Sequence, residues 1–400
     1  MHRRSNTQFN IQAMGSIQLC QPLKDRDVLS KTIITEIYNR ALFLLQTEDT
    51  RYTRLQFDAR GLATILYQFA KLNYVIGPEF IDAWTNKAIN LMDEFNPQGL
   101  TNSLWAFGRL EIHPPDQFID AWIHHATNSI GNFNTQDLAN SIWALGWLEI
   151  HPPDQFIDAW IHHATNSINK FNTQNLANSL WAFGRLEIHP SDQFIQAWIH
   201  YATKTIDRFT PQGLTNSLWA FGRLEIHPPD QFIQAWIHHA TKTIGNFNNQ
   251  DLANSIYGIF ILNVLCDSKT KVPQQFIDAV NKNIKLFNEN SEDISQLLKA
   301  HYYFAKQGVG ILTSQNRQLL EKKLKTKLTP YHTSNLQLNV LKVVKKVLAQ
   351  HTVKSQHYIK QITSSVDIFI KEKNIVIQVD GPCHLTIMLL IFQLGLILNY

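Results

Sequence analysis

A pattern of apolar residues with a period of 38 dominates the chain between residues 57 and 290. One copy of the repeat is LANSIWALGWLEIHPPDQFIDAWIHHATNSINKF, residues 138–171, and near-identical copies stand on both sides of it. The period is marked by Leu62, Leu100, Leu138, Leu176, Leu214 and Leu252. Six copies of this length are typical of a solenoid, because each copy must stack on its neighbours to bury its apolar face.

The apolar positions predict two helices in each repeat. In the third repeat, one face carries Leu138, Ile142, Leu145 and Leu148, at steps of 4, 3 and 3. This spacing predicts a helix A that runs from about Thr135, as its N-cap, to Glu149. The prolines at 152 and 153 end helix A, and Pro153 suits the first turn of helix B. The apolar stripe of helix B comprises Phe156, Ile157, Trp160, Ile161, Ala164 and Ile168.

The segments that flank the repeats complete the predicted organisation. The four predicted parts are a leader with a capping helix over 1–56, six repeats over 57–290, degenerate basic helical repeats over 291–361, and a final segment over 362–400. Capping follows from the need to cover the core of a terminal repeat. The final segment has two β-branched runs around KEKN, a pattern that predicts a β-hairpin. The predicted fold is mainly α: a right-handed α-α superhelix with a short C-terminal α/β (β-hairpin) appendage.

Three further helices are predicted after the sixth repeat, over residues 291–306, 314–327 and 335–349. The final apolar run from Leu385 has 14 residues and falls short of the roughly 20 that a membrane-spanning helix needs. We therefore predict a buried or ill-formed tail there and no membrane segment.

Charge is distributed unevenly along the chain. The net charge is +4, but residues 58–256 carry 10 Lys/Arg against 18 Asp/Glu, whereas residues 257–400 carry 18 against 9. The repeats are therefore acidic, which counts against nucleic-acid binding, since phosphate neutralisation needs cations. Three distant cysteines form no ligand spacing and indicate a reducing, intracellular environment. The first 24 residues lack the apolar core of a secretory signal, although their basic composition is compatible with a transit peptide.

The face of helix A opposite the leucines carries the candidate binding residues. The recurring amide positions are Asn102, Asn140, Asn178 and Asn216. A second series, seven residues later, is Arg109, Trp147, Arg185 and Arg223. Amides pair with base edges, and Arg or Trp planes stack on bases, so the two series predict single-stranded RNA read at one base per repeat along the inner, concave face.

Other interpretations of the same residues remain open. A recurring Asn is also typical of a side chain that hydrogen-bonds the adjoining loop or the next helix. The series of Trp105, Trp143, Trp181 and Trp219 favours packing over base stacking, because helix A has neighbours on two sides. Histidine pairs such as His124–His125 also recur, but no carboxylate or cysteine completes a tetrahedral set, so we predict neither a metal site nor a cofactor.

The β-branched runs carry two carboxylates. A four-residue loop over 371–374 would place Asp367, Gln378 and Asp380 on one face, where paired carboxylates suit a divalent metal or acid–base chemistry. The structural alternative is that Asp380 caps the DGP turn and that Asp367 forms an ion pair with a lysine. We take both as candidate catalytic residues only, and predict that the protein is not an enzyme.

LANSLWAFGRL followed by HPPDQFIDAWI at a period of 38 resembles the octotricopeptide repeat, over about residues 57–290. The strings VDIFI and IVIQVDGPCH, within residues 362–384, resemble the start of a RAP domain. The pairing implies an RNA-binding factor for organellar transcripts, and related arrays occur in intracellular bacteria. The RAP resemblance implies a restriction-endonuclease-like core with Asp367 and Asp380 facing the metal. However, the second strand lacks the expected lysine, and the chain beyond His384 departs from the family pattern, so we expect a truncated RAP-like segment over 362–400.

The function predicted from the sequence is RNA binding in RNA processing, stability or translation, by an intracellular monomer in a bacterial cytoplasm, an organelle or a host cell. A protein-binding scaffold, for example an effector, is the first alternative. A metal-dependent RNase that uses Asp367 and Asp380 is the second.

Overall fold

The structure is a computed structural model. It describes residues 10–24, 29–266, 268–288, 292–325, 345, 352–359, 364–370, 375–381, 384–391 and 396–399. Residue 325 and the segments 353–359, 364–370, 375–381, 384–391 and 396–399 are described by their backbone alone. The chain divides into two compact units, Met1–Thr205 and Ile206–Tyr400. The helix predicted over 335–349 lies outside the described residues, apart from residue 345.

The first unit contains two layers of stacked helices. Its helices are α1 (Ser16–Cys20), α2 (Lys31–Gln46), α3 (Ala59–Lys71), α4 (Pro78–Asn90), α5 (Pro97–Leu110), α6 (Asp116–Ser129), α7 (Thr135–Trp147), α8 (Asp154–Ser167), α9 (Thr173–Leu186) and α10 (Asp192–Thr205). The predicted A helices α3, α5, α7 and α9 pack side by side, and α2, α4, α6, α8 and α10 form the second layer. The predicted array of helix pairs is confirmed.

The second unit continues the same pattern of helix pairs. Its helices are α11 (Pro211–Arg223), α12 (Asp230–Lys242), α13 (Asn249–Leu265), α14 (Gln274–Asn283), α15 (Glu292–Lys306) and α16 (Ser314–Lys325). Here α11, α13 and α15 pack side by side as A helices. Helices α15 and α16 match the two predicted over 291–306 and 314–327.

Five strands follow in the backbone of the second unit. They are β1 (Val353–Ile359), β2 (Ser364–Ile370), β3 (Ile375–Gly381), β4 (His384–Ile391) and β5 (Leu396–Asn399), paired antiparallel in that order. In β2 and β3, Ile370 lies opposite Ile375. The predicted appendage of a single hairpin is therefore wrong in extent. The apolar run from Leu385, expected as a buried or ill-formed tail, supplies most of β4 and most of β5. Antiparallel strands of this kind need only a short connection.

The candidate carboxylates Asp367 and Asp380 lie on β2 and β3. The pairing of β3 with β4 is irregular between Val379 and Gly381. Because a bulge interrupts strict alternation, the shared face inferred for Asp367 and Asp380 does not follow from the strand pattern alone. Their side chains lie outside the described part of the chain, and the RNase alternative stays a prediction.

Helix α7 shows how the repeat begins its helices. Its N-cap is Asn134, not the predicted Thr135, and the Asn134 side chain accepts hydrogen bonds from the backbone N–H groups of Gln136 and Asp137. The Asp137 carboxylate accepts in turn from the Asn134 N–H, at 3.1 Å. This reciprocal pair is a capping box, and it fixes the start of the helix one residue earlier than the sequence prediction.

Helix α7 ends at Trp147, two residues before the predicted end at Glu149. Glu149 has a φ of 55°, and the N–H of Ile150 donates to the carbonyl of Leu145 at 2.9 Å. These are the features of a Schellman C-cap, in which a left-handed residue closes the helix. Helix α8 then begins at Asp154, so that Pro153 is its N-cap and not part of its first turn.

The core lies between the two layers. Leu138, Ile142, Leu145 and Leu148 are at most 2% exposed, which confirms the predicted stripe of helix A. The indole N–H of Trp160 on α8 donates to the carbonyl of Leu138 at 3.0 Å, and the same bond recurs in neighbouring repeats. Each helix B thus anchors its largest side chain on the helix A of its own repeat.

Small residues allow the A helices to approach closely. A Cβ atom at Gly146 of α7 would lie 3.0 Å from Cα and 3.1 Å from Cβ of Ala182 on α9. The glycine therefore sets the distance between consecutive A helices. Close, parallel A helices bring the same surface position of successive repeats side by side.

Candidate nucleic-acid interface

The side of the A helices that faces away from the core brings the predicted residues together. We call this surface in the first unit the A face, and it comprises Tyr67, Asn102, Trp105, Arg109, Asn140, Trp143, Trp147, Asn178, Trp181 and Arg185. All of these side chains are half-buried or exposed, whereas their leucine neighbours are buried. The second unit carries the equivalent Asn216, Trp219, Arg223, Asn254 and Tyr257 on α11 and α13.

The asparagine series is half-buried and has unused hydrogen-bonding capacity. Across the described residues, the side chains of Asn102, Asn140 and Asn178 form no hydrogen bond with another protein group. Nor is any of their polar atoms buried without a partner, so the amide groups reach solvent. The structural alternative, in which each Asn bonds a loop or the next helix, is therefore not observed. One donor and one acceptor per repeat remain available to a ligand.

Aromatic rings form a continuous row across the A face. Ring centroids are separated by 5.1 Å for Tyr67–Trp105, 6.3 Å for Trp105–Trp143, 5.5 Å for Trp143–Trp147 and 5.9 Å for Trp147–Trp181. The rings pack on each other, as the sequence predicted for the Trp143 series, yet Trp147 is 43% exposed and the others are half-buried. The row therefore presents aromatic surface to solvent over four consecutive repeats.

Sequence reasoning left Tyr67, Trp105, Trp143 and Trp181 out of the candidate site. The signal that includes them was present, since a helical wheel places Trp143 beside Asn140 and opposite the leucines. Only the distance between A helices shows that rings from successive repeats meet. That distance depends on packing at Gly146, which the wheel of a single helix does not contain.

The three predicted arginines are all exposed but not equivalent. The Arg185 guanidinium forms an ion pair with the carboxylate of Glu149, from the preceding repeat. For Arg109, the residue that corresponds to Glu149 in the preceding repeat is Asn73, which carries no charge. Arg109 therefore lacks the ion-pair partner that Arg185 has. Of the two A-face arginines in the first unit, Arg109 is therefore the more accessible to a phosphate.

A row of carboxylates runs beside the arginines. Glu111, Glu149 and Glu187 all have φ values between 54° and 57° and close the A helices of three repeats. Such left-handed residues are usually glycine or asparagine, because a side chain adds strain there. In the first unit the three carboxylates stand against only two arginines, Arg109 and Arg185, so the A face and its border together carry no net positive charge.

The second layer uses its recurring histidines for structure. His125 Nε2 lies 3.2 Å from the carbonyl of Phe95, and His163 Nε2 lies 2.8 Å from that of Phe133. Each of these histidines ties helix B to the turn that closes the preceding repeat. In the described segments, no group of three or more His, Cys, Asp or Glu is arranged to hold a metal ion.

Burial shifts the pKa of two groups on the A helices, Asp137 of α7 and Lys299 of α15. At the start of α7, burial raises the pKa of Asp137, although hydrogen bonds from the Asn134 N–H and the Thr101 hydroxyl oppose the shift. In α15 the position equivalent to Trp143 is Lys299, and burial lowers its pKa. Gln296, equivalent to Asn140, is buried there with Oε1 unsatisfied. The amide and aromatic stripe therefore ends with the sixth repeat.

These features define a class: an α-helical repeat protein with an aromatic and amide surface on one helix of each pair. Residues 40–229, just under half of the chain, match the family model described as RNA-editing substrate-binding complex 6 protein (RESC6). The matched segment contains the whole A face. A search of curated proteins found no match. The octotricopeptide-repeat and RAP resemblances are not shown by these comparisons and remain predictions.

Among the helices that the structure describes, none combines the length and the apolar character needed to cross a membrane.

Proposed function

We propose that this protein binds single-stranded RNA along the A face. The observation that carries the proposal is the continuous row of solvent-accessible aromatic rings, flanked in each of three repeats by an Asn amide without a protein partner. Aromatic side chains stack on unpaired bases and contribute about 1–3 kcal/mol per base. Amides add hydrogen bonds to the exposed base edges of single strands. In a double-stranded nucleic acid the faces and the pairing edges of the bases are hidden, so a duplex suits the A face less well.

The charge of the A face determines what kind of binder it is. Arg109 is exposed, whereas the Arg185 guanidinium is already paired with the Glu149 carboxylate. Glu111 and Glu187 lie in the same row of carboxylates as Glu149. Few phosphates are then neutralised, so the affinity depends mainly on stacking and only weakly on salt. Such an interface releases its strand more readily than a cationic groove does.

The match to the RNA-editing substrate-binding complex 6 family supports RNA as the ligand. The name of that family also refers to a complex, and we extend this to the present chain as a component of an RNA-processing assembly. RNA would occupy the A face, and protein partners would contact other surfaces of the array.

The direct test replaces Trp105 and Trp143 together by Ala and measures the binding of a labelled single-stranded RNA pool by fluorescence anisotropy. The affinity is expected to fall by at least about tenfold, since two stacking positions are lost. The matched control replaces His124 and His162 on the second layer by Ala, which should leave the affinity within about twofold. Equal losses in both variants, or no RNA binding by the unaltered protein, would refute the proposal.

The arginines are tested separately by changing Arg109, Arg185 and Arg223 to Ala, alone and together. Arg109→Ala should weaken binding more than Arg185→Ala, because the Arg185 charge is already balanced by Glu149. The triple change should also flatten the dependence of log affinity on log salt. An affinity unchanged by the triple variant would exclude the arginines from the interface.

A protein-binding scaffold is the second candidate, and the Trp147 site favours it. Trp147 is the most exposed tryptophan of the row, it packs between Trp143 and Trp181, and the Arg185–Glu149 pair lies on the neighbouring helix ends. An aromatic centre with a charged rim is typical of a protein-binding hot spot. If Trp147→Ala leaves RNA affinity intact but abolishes the capture of one defined protein partner, the scaffold function replaces RNA binding.

A further inference from the structure

The amide and aromatic positions of the A helices form an identical trio in consecutive repeats. A Gln, an Asn and an aromatic residue follow at i, i+4 and i+7: Gln98, Asn102 and Trp105; Gln136, Asn140 and Trp143; Gln174, Asn178 and Trp181. The second unit repeats the trio twice, in α11 and α13. This spacing places the three side chains on one stripe of each helix. In every copy the Gln is exposed, and the Asn and the ring are half-buried.

Identical groups at a fixed spacing recognise identical ligand units. A surface that reads a mixed sequence needs different side chains at its reading positions, since discrimination between bases comes from different donor and acceptor patterns. Here the reading positions do not vary, whereas the position four residues after the ring changes from Arg109 to Trp147 to Arg185. The variable position lies at the end of the helix, beside the carboxylate row, where it suits contacts to the strand backbone. The invariant stripe therefore indicates a ligand with a repeated base.

The chemistry of the three side chains indicates which base the stripe selects. A purine offers a larger ring than a pyrimidine to a tryptophan face, and differences in stacking strength generate base preferences in single strands. Asn and Gln pair bidentately with adenine N6 and N7, one donor with one acceptor. Guanine presents two acceptors, O6 and N7, on that edge and is read by Arg or Lys. Neither residue type occurs within the trio.

We propose that the ligand of the A face is a repetitive, adenine-rich single-stranded RNA tract. This inference rests on the proposed function, because it names the sequence that the same surface selects. It adds a prediction that RNA binding alone does not make: the affinity depends on base identity at successive positions and not only on length.

The test compares four RNAs of 12 nucleotides with the full-length protein: oligo(A), oligo(U), oligo(C) and a mixed sequence. Oligo(A) is expected to bind at least about tenfold more tightly than the mixed sequence. A variant with Asn102, Asn140 and Asn178 changed to Leu should bind oligo(A) no better than the mixed RNA. The control variant changes Asn86, Asn128 and Asn166 on the second layer to Leu, and the preference should survive.

The outcomes separate this inference from the proposed function. Equal affinity of the unaltered protein for oligo(A) and the mixed RNA overturns the inference and leaves RNA binding standing. Tighter binding of oligo(U) or oligo(C) overturns the choice of adenine. No binding to any of the four overturns the proposed function itself. The comparison among RNAs uses the unaltered chain, so a folding defect in the Leu variant cannot obscure it.

Discussion

Two series of tryptophans run through this protein at the same period, and their environments are opposite. One series lies on the A helices, at Trp105, Trp143 and Trp181. The other lies on the B helices, at Trp122, Trp160 and Trp198. The rings of the first series are half-buried: Trp105 packs on Trp143, and Trp147 connects Trp143 with Trp181. The rings of the second series are fully buried between the layers. Equal spacing along the chain therefore says nothing about whether a repeated aromatic residue serves the core or the surface.

The physical distinction lies in what each ring faces. The indole of Trp160 points into the interlayer core and donates its N–H to the carbonyl of Leu138. Trp143 occupies the opposite side of α7 from Leu138, beside the Asn140 amide. Burial of a large aromatic side chain stabilises the repeat, while a row of partly exposed rings provides surface for a ligand. The repeat thus separates stability and binding onto its two helices.

The largest contrast between the two series is expected in stability. Trp160→Ala removes a fully buried side chain and leaves the Leu138 carbonyl without its donor, which should destabilise the fold by about 3–5 kcal/mol. Trp143→Ala on the A face should cost about 1 kcal/mol or less, as is usual away from a core. Chemical denaturation followed by circular dichroism measures both. If the two variants lose similar stability, the separation of core from surface is wrong.

The spacing of the A helices is tested at Gly146. The added Cβ of Gly146→Ala would meet Ala182 backbone at 3.0 Å, and such overpacking costs about 1–3 kcal/mol, offset by at most about 1 kcal/mol of helix propensity. The midpoint of denaturation should fall, and RNA affinity should fall with it because the aromatic row is displaced.

Gly131→Ala is the matched control, since an added Cβ there meets no atom within 4 Å. It should leave both stability and RNA affinity close to those of the unaltered protein. A stable Gly146→Ala variant with full affinity would show that the A helices tolerate a wider spacing.

A smaller effect is expected from the charges of the A face. Glu149 has a left-handed backbone conformation, and Glu149→Gln leaves a polar side chain of similar size at that position. The change removes the ion pair with Arg185. RNA affinity should rise about two- to fivefold, with a steeper dependence on salt, because one more cation reaches a phosphate. Stability should change by no more than about 1 kcal/mol, as for other exposed ion pairs. Asp158→Asn, an exposed carboxylate on α8, controls for net charge, and an equal gain in affinity there would point to a general charge effect.

The smallest effect concerns Asp137 at the start of α7. Burial raises its pKa, so the folded state binds the proton more tightly than the unfolded state, and folding stability falls as pH rises between the two values. Asp137→Asn should remove this penalty, since Asn175 already occupies the equivalent buried position in the next repeat. The melting temperature of the variant should exceed that of the unaltered protein slightly at pH 7, and the gain should vanish towards pH 4. A gain that persists at pH 4 would assign the effect to another cause.

Much of the fold could be predicted because the same pattern of apolar residues occurs in all six repeats. The leucine stripe, the two helices and the proline break follow from spacing and backbone sterics. The helix ends moved by one or two residues because Asn134 caps better than Thr135 and Glu149 adopts a left-handed conformation. The sheet after residue 352 was underpredicted, since one short hairpin signal does not show how many strands join it.

The sequence by itself determined the period, the helix pairs, the buried faces and the candidate asparagines and arginines. These depend on local spacing, which a helix converts directly into faces. Only the tertiary structure decided that the Trp105, Trp143 and Trp181 rings form one row, that the Asn amides lack protein partners, and that Glu149 neutralises Arg185. Each of these is a contact, or the lack of one, between residues from different repeats, and its distance is set by how closely the A helices pack.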